Sequence, residues 1–132
     1  MSSFDRRVLI SGALVAGATL TTSASAAPDA PMLFHQVFFW LKNPGDKADR
    51  DKLIAGLKAL KAIDVIKQLH VGVPAATEKR DVVDNSYDVS ELMVFKSVED
   101  QKRYRDHPLL QKFVADCSHL WSKVVVYDSM SV

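Results

Sequence analysis

Met32-Leu33-Phe34-His35-Gln36-Val37-Phe38-Phe39-Trp40-Leu41-Lys42 is apolar at almost every position, and its reading decides the fold. Side chains alternate across a strand, so His35, Val37, Phe39 and Leu41 share one face while Phe38 and Trp40 lie on the other. A strand apolar on both faces is covered on both. Helices packed on the His35 face supply one cover. A homodimer, held through sheet faces carrying Phe38 and Trp40, supplies the other, since two such aromatics would leave a large exposed patch on a monomer.

Working outward, Asn43-Pro44-Gly45-Asp46 is a turn. From Ala48 to Ile63, Leu53, Ile54, Leu57, Leu60 and Ile63 recur at helical spacing, with Asp46 or Asp49 as cap. Val65 to Val73 reads as a second strand, residues 75–86 as a polar loop, and Tyr87 to Lys96 as a third strand. Ser97-Val98-Glu99-Asp100 opens a helix with capping-box spacing. His107-Pro108 breaks that helix, because the residue before proline is pushed out of the helical region. Pro108 suits the first turn of a further helix, running to about His119 with the stripe Leu109, Leu110, Phe113, Val114 and Cys117. Val124 to Val132 is the last strand. The order β-α-β-β-α-β gives a ferredoxin-like α+β fold.

The N-terminus reads as an address. Arg6-Arg7, a weakly apolar run from Val8 to Leu20 and the small-x-small triplet Ala24-Ser25-Ala26 form a signal-peptide pattern. The arginine pair points to the twin-arginine route, so the expected location is periplasmic or secreted. The apolar run is too short for a membrane span, and no membrane anchor is expected after cleavage. Residues 1–26 are thus a signal peptide and 27–32 a short leader, followed by one domain over 33–132. The whole chain carries 17 Lys and Arg against 16 Asp and Glu. Removing Arg6, Arg7 and Asp5 leaves 15 against 15, a neutral balance that argues against a nucleic-acid partner. Cys117 is the only cysteine, so the fold rests on packing without an intrachain disulfide.

Two polar residues fall on apolar strand faces. His35 lies with Val37, Phe39 and Leu41. Glu91 shares the face of Val89, Met93 and Phe95, where an unpaired carboxylate is costly. The first and third strands are neighbours at the centre of a ferredoxin-like sheet, so Glu91 is expected near His35, on the helix-facing side. A carboxylate beside an imidazole holds one tautomer, as acid or base catalysis requires. The alternatives are a satisfied core histidine and a solvated or dimer-face glutamate. Tyr104 is a candidate donor from the helix. His107 reads as a structural hydrogen-bonder at the helix break, Cys117 as an inert core thiol, and His70 and His119 carry little. No metal-ligand spacing, phosphate loop or nucleophile elbow occurs, and neither metal nor cofactor is expected.

His35-x-Val37-x-Phe39, Asn43-Pro44-Gly45, Val71-Gly72, Tyr87-Asp88, Tyr104-Arg105-Asp106-His107-Pro108 and Val126-Tyr127-Asp128 together, in this order and spacing, resemble the stress-responsive A/B barrel family, known as Dabb. The resemblance covers about residues 33–130. It implies a dimeric α+β barrel in which two four-stranded sheets face each other. It also implies a pocket between sheet and helices with His35 on the first strand, Tyr104 at a catalytic tyrosine position, and Trp121 at a pocket position. Val37, Phe39 and Leu110 complete the expected ligand contacts. A cofactor-free polyketide cyclase of the family has a second histidine as base where this chain has Leu110. Two functions therefore stand open: a dimeric protein binding a small apolar molecule, or a cofactor-free acid/base enzyme of cyclase, isomerase or lyase type using His35, Glu91 and Tyr104.

Overall fold

The computed structural model describes residues 30–132. The expected signal segment, residues 1–26, lies outside the described residues, and Pro31–Val132 form one compact unit. Its elements are β1 (Leu33–Leu41), α1 (Lys47–Ala59, continued by a 3-10 turn at Leu60–Ala62), β2 (Ile66–Gly72), β3 (Val89–Phe95), α2 (Val98–Arg105), α3 (Pro108–Cys117, continued by a 3-10 turn at Ser118–Leu120) and β4 (Trp121–Met130). The sheet order is β2-β3-β1-β4 and every pairing is antiparallel. This is the ferredoxin-like α+β arrangement, with β1 at the centre as its two-sided apolar pattern requires.

Local chemistry sets the helix boundaries. Gly45 takes φ +87°, a left-handed turn conformation that favours glycine, and the Asp46 carboxylate then accepts from the Asp49 amide at 3.0 Å to cap α1. Ser97 caps α2 by accepting from the Asp100 amide at 3.0 Å. His107 caps α3: its Nδ1 accepts from the Leu109 amide at 3.0 Å, and Pro108 occupies the first turn.

The core lies between the sheet and the helices. Leu53, Leu57, Leu60 and Ile63 pack against Val37, Phe39, Val89, Met93 and Phe95, all buried. Two expectations need correction. β4 starts at Trp121 rather than Val124, because Leu41 pairs with Trp121 across an irregularity between Trp40 and Leu41. The apolar stripe of α3 is also narrower than expected: Phe113 and Cys117 are buried, whereas Leu109 and Val114 are exposed. A pocket opens beside α3, lined from that helix by Leu110, Phe113 and Val114.

The opposite sheet face carries Phe38, Trp40, Leu92, Val125 and Tyr127, as the register dictates. Phe38 packs edge-on against Tyr87 and Tyr127. The loop before β3 ties down one end of this face, where the Trp40 indole donates to Ser86 Oγ at 3.1 Å. Tyr127 remains 63% exposed.

Candidate functional site

β1 delivers His35, Val37 and Phe39 to the helix-facing side of the sheet, and β3 delivers Glu91 to the same side, directly opposite Val37. α2 brings Tyr104, α3 brings Leu110, Phe113 and Val114, and β4 brings Trp121, Val124 and Val126. These residues line one pocket of about 230 Å³, with Leu57 at its floor and Gln101 and Arg105 at its rim. All seven site residues expected from the sequence, His35, Val37, Phe39, Glu91, Tyr104, Leu110 and Trp121, are among its walls. Leu110 occupies wall space as a half-buried apolar side chain.

The walls are held by aromatic packing. Trp121 stacks on Phe113 with centroids 5.7 Å apart and tilts against Phe39 at 5.1 Å. Tyr104 contacts Phe95 at 5.3 Å and meets the His35 ring edge-on at 5.8 Å. His35 and Tyr104 are both buried.

No direct hydrogen bond joins His35 and Glu91. The register places Met93, not Glu91, opposite His35, and the residue across from His35 on β4 is Asp128. His35 Nδ1 donates to Asp128 Oδ1 at 2.6 Å. A carboxylate only accepts, so Nδ1 carries the proton, and in the neutral ring Nε2 is the free lone pair. This is the orienting partner that sequence reasoning missed. Its signal was present: Asp128 shares strand parity with Val124 and Val126, so a β4 paired with β1 puts all three on the pocket side. The sequence pattern marks Asp128 only within Val126-Tyr127-Asp128 and implies no role for it. Gln101 and Arg105, one turn of α2 apart, were also missed.

Glu91 is 3% exposed and its Oε2 has no hydrogen-bond partner. Burial pushes its carboxyl from 4.5 up to about 8, so at neutral pH it is largely a carboxylic acid that can donate. Burial also pushes the Tyr104 hydroxyl above its usual range, and the negative charge on ionised Glu91 pushes it the same way. Tyr104 is thus a neutral donor. The pocket therefore holds one oriented imidazole and two neutral donors among largely apolar walls.

The remaining candidates take structural places. His107 caps α3. His70 is exposed on the outer face near Gln68, and His119 is exposed. Cys117 is a buried free thiol whose ionisation is suppressed chiefly by burial. Among the described residues no group of three His, Cys, Asp or Glu side chains is placed to hold a metal ion, and no helix is long and apolar enough to cross a membrane.

The pattern of the stress responsive A/B barrel domain, Dabb, matches residues 33–131. No curated protein matches the sequence. Among solved structures, a Dabb family protein with a ferredoxin-like fold from Mesorhizobium loti is similar at 24% identity and TM-score 0.64, over 77% of this chain and 98% of that one. Hydroxynitrile lyase from Passiflora edulis is similar at 21% identity and TM-score 0.65, over 79% and 96%. A dimeric ferredoxin-like protein of unknown function from Thermobifida fusca is similar at 16% identity and TM-score 0.61, over 78% and 93%.

Proposed function

The chain belongs to the stress-responsive A/B barrel family, and we propose that it is a homodimer whose pocket binds a small, largely apolar molecule and moves a proton on it without a cofactor. The observation that carries this reading is the His35–Asp128 contact of 2.6 Å at the wall of an apolar pocket. A carboxylate that fixes the tautomer and orientation of an imidazole is the arrangement general-base catalysis uses. Tyr104 and Glu91 supply neutral donors for oxygen charge developing in the reaction. A hydroxynitrile lyase on the same fold is consistent with proton-transfer chemistry on this scaffold.

In this reading the chain departs from olivetolic acid cyclase, the family enzyme whose base stands where Leu110 lies. The base here comes instead from β1. The dimer would bury the outer sheet face, and several solved neighbours are described as dimeric. Export through the Arg6-Arg7 signal remains part of the proposal.

The test of the pocket is a titration of the isotopically labelled protein with toluene, followed by NMR. Shifts should concentrate on the Trp121 indole, the Tyr104 ring and the His35 imidazole. Shifts confined to Phe38, Tyr87 and Tyr127 on the outer face would refute the pocket reading.

A further inference from the structure

Glu91 lines the pocket apart from the His35–Asp128 pair. Its carboxyl is buried, its Oε2 is unpartnered, and it shares that lining with the apolar Val37, Leu57 and Leu110. The titratable and charged groups around that space are His35 on β1, Tyr104 and Arg105 on α2 and, through His35, Asp128 on β4. None neutralises Glu91. His35 is matched to Asp128, Tyr104 is a neutral phenol, and Arg105 is exposed at the rim. An unpaired charge on such walls is unfavourable. The carboxyl therefore stays protonated and offers one O–H donor beside its carbonyl acceptor.

From this geometry we propose that the pocket takes its ligand by a neutral oxygen group, a carbonyl or hydroxyl hydrogen-bonded to the Glu91 carboxyl, and that Glu91 excludes carboxylates. The inference rests on the pocket reading above and names the ligand class of that site. Apolar walls fit the hydrocarbon part, and the unsatisfied carboxyl discriminates strongly, because a ligand lacking the matching oxygen leaves it unpaired. A ligand carboxylate would meet no cation at the buried end. A ligand ammonium would have to draw the proton off Glu91 and bury an ion pair, at the desolvation cost of both ions.

Four probes of similar shape separate these cases: acetophenone, toluene, benzoate and benzylamine, titrated into the purified protein at pH 6.5 with the Trp121 and Tyr104 resonances as readout. Acetophenone should bind at least tenfold more tightly than the other three. Raising the pH to 9.5 should weaken acetophenone at least tenfold in the wild type and leave it unchanged in Glu91→Gln, whose amide still donates. Glu91→Leu should bind toluene as well as acetophenone. Benzoate or benzylamine binding as tightly as acetophenone would overturn the neutral-oxygen rule while leaving the pocket in place. So would an unaltered pH profile in Glu91→Gln. Failure of all four probes to move either resonance would overturn the pocket reading itself.

Discussion

Replacing Glu91 by Gln should stabilise the protein, and increasingly so as the pH rises from 5 to 8. The carboxyl moves from an ordinary 4.5 to about 8 on folding. Below pH 4.5 both folded and unfolded chains hold the proton, and its contribution to stability is fully present. Between 4.5 and 8 the unfolded chain releases the proton while the folded chain keeps it, so stability falls as pH rises. Above 8 both states are ionised and the loss levels off. At about 1.4 kcal/mol per pH unit, the folded protein loses about 5 kcal/mol across that window, a large share of the roughly 5–15 kcal/mol typical of a domain. Gln has nearly the same shape and does not titrate. Urea unfolding followed by tryptophan fluorescence at pH 5, 6.5 and 8, at one fixed protein concentration because a dimer's stability depends on it, gives the difference between variant and wild type at each pH. That difference should grow by about 1.4 kcal/mol per pH unit. Parallel stability curves for the two proteins would refute the reasoning, since Glu91 would then ionise as freely folded as unfolded.

Asp128→Ala should cost about 1–2 kcal/mol, because the buried His35 Nδ1 loses its acceptor, and a double-mutant cycle with His35→Ala should show coupling between the two. No coupling would mean the 2.6 Å contact carries no energy. Gly56→Ala should destabilise by about 1 kcal/mol despite its gain in helix propensity, since a Cβ there would sit 3.0 Å from Cys117 Sγ and Phe113 Cδ1. In a Cys117→Ala background, which removes one of the two close contacts, the same substitution should cost less in a thermal melt. Phe38→Asp should turn a dimer into a monomer by light scattering, and a wild type already monomeric at micromolar concentration would sink the outer-face interface. Arg6→Lys with Arg7→Lys should abolish export in a fractionation assay, whereas undiminished export would point to the general secretory route.

Strand parity made most of the site legible. Counting along Leu33–Leu41 and Val89–Phe95 is enough to place His35 and Glu91 on the helix-facing side, because one face of each strand is buried and fixes the register. Parity does not say which residue sits opposite which. That depends on how far two strands slide past each other, and for β1 and β4 it is set by the irregularity at Trp40/Leu41. Parity alone therefore points from His35 to Glu91, whereas the register of β4 brings Asp128, half-exposed on an edge strand, to His35. The exposure of Val114 was hidden for a similar reason. Helical periodicity gives a stripe, but how much of the stripe is covered depends on the distance of the helix from the sheet.

The most direct measurement is solvent-deuterium incorporation at the methyl carbon of acetophenone, catalysed by the wild type, by His35→Gln and by Asp128→Asn. With His35 as base and Tyr104 and Glu91 holding the carbonyl, the wild type should exchange the methyl protons faster than buffer, by roughly the 10²–10⁴-fold of a positioned general base. His35→Gln should fall to the buffer rate and Asp128→Asn should lose most of the acceleration. Wild-type protein with acetophenone bound in the pocket and no exchange above buffer would contradict the proton-transfer claim and leave a binding protein in its place.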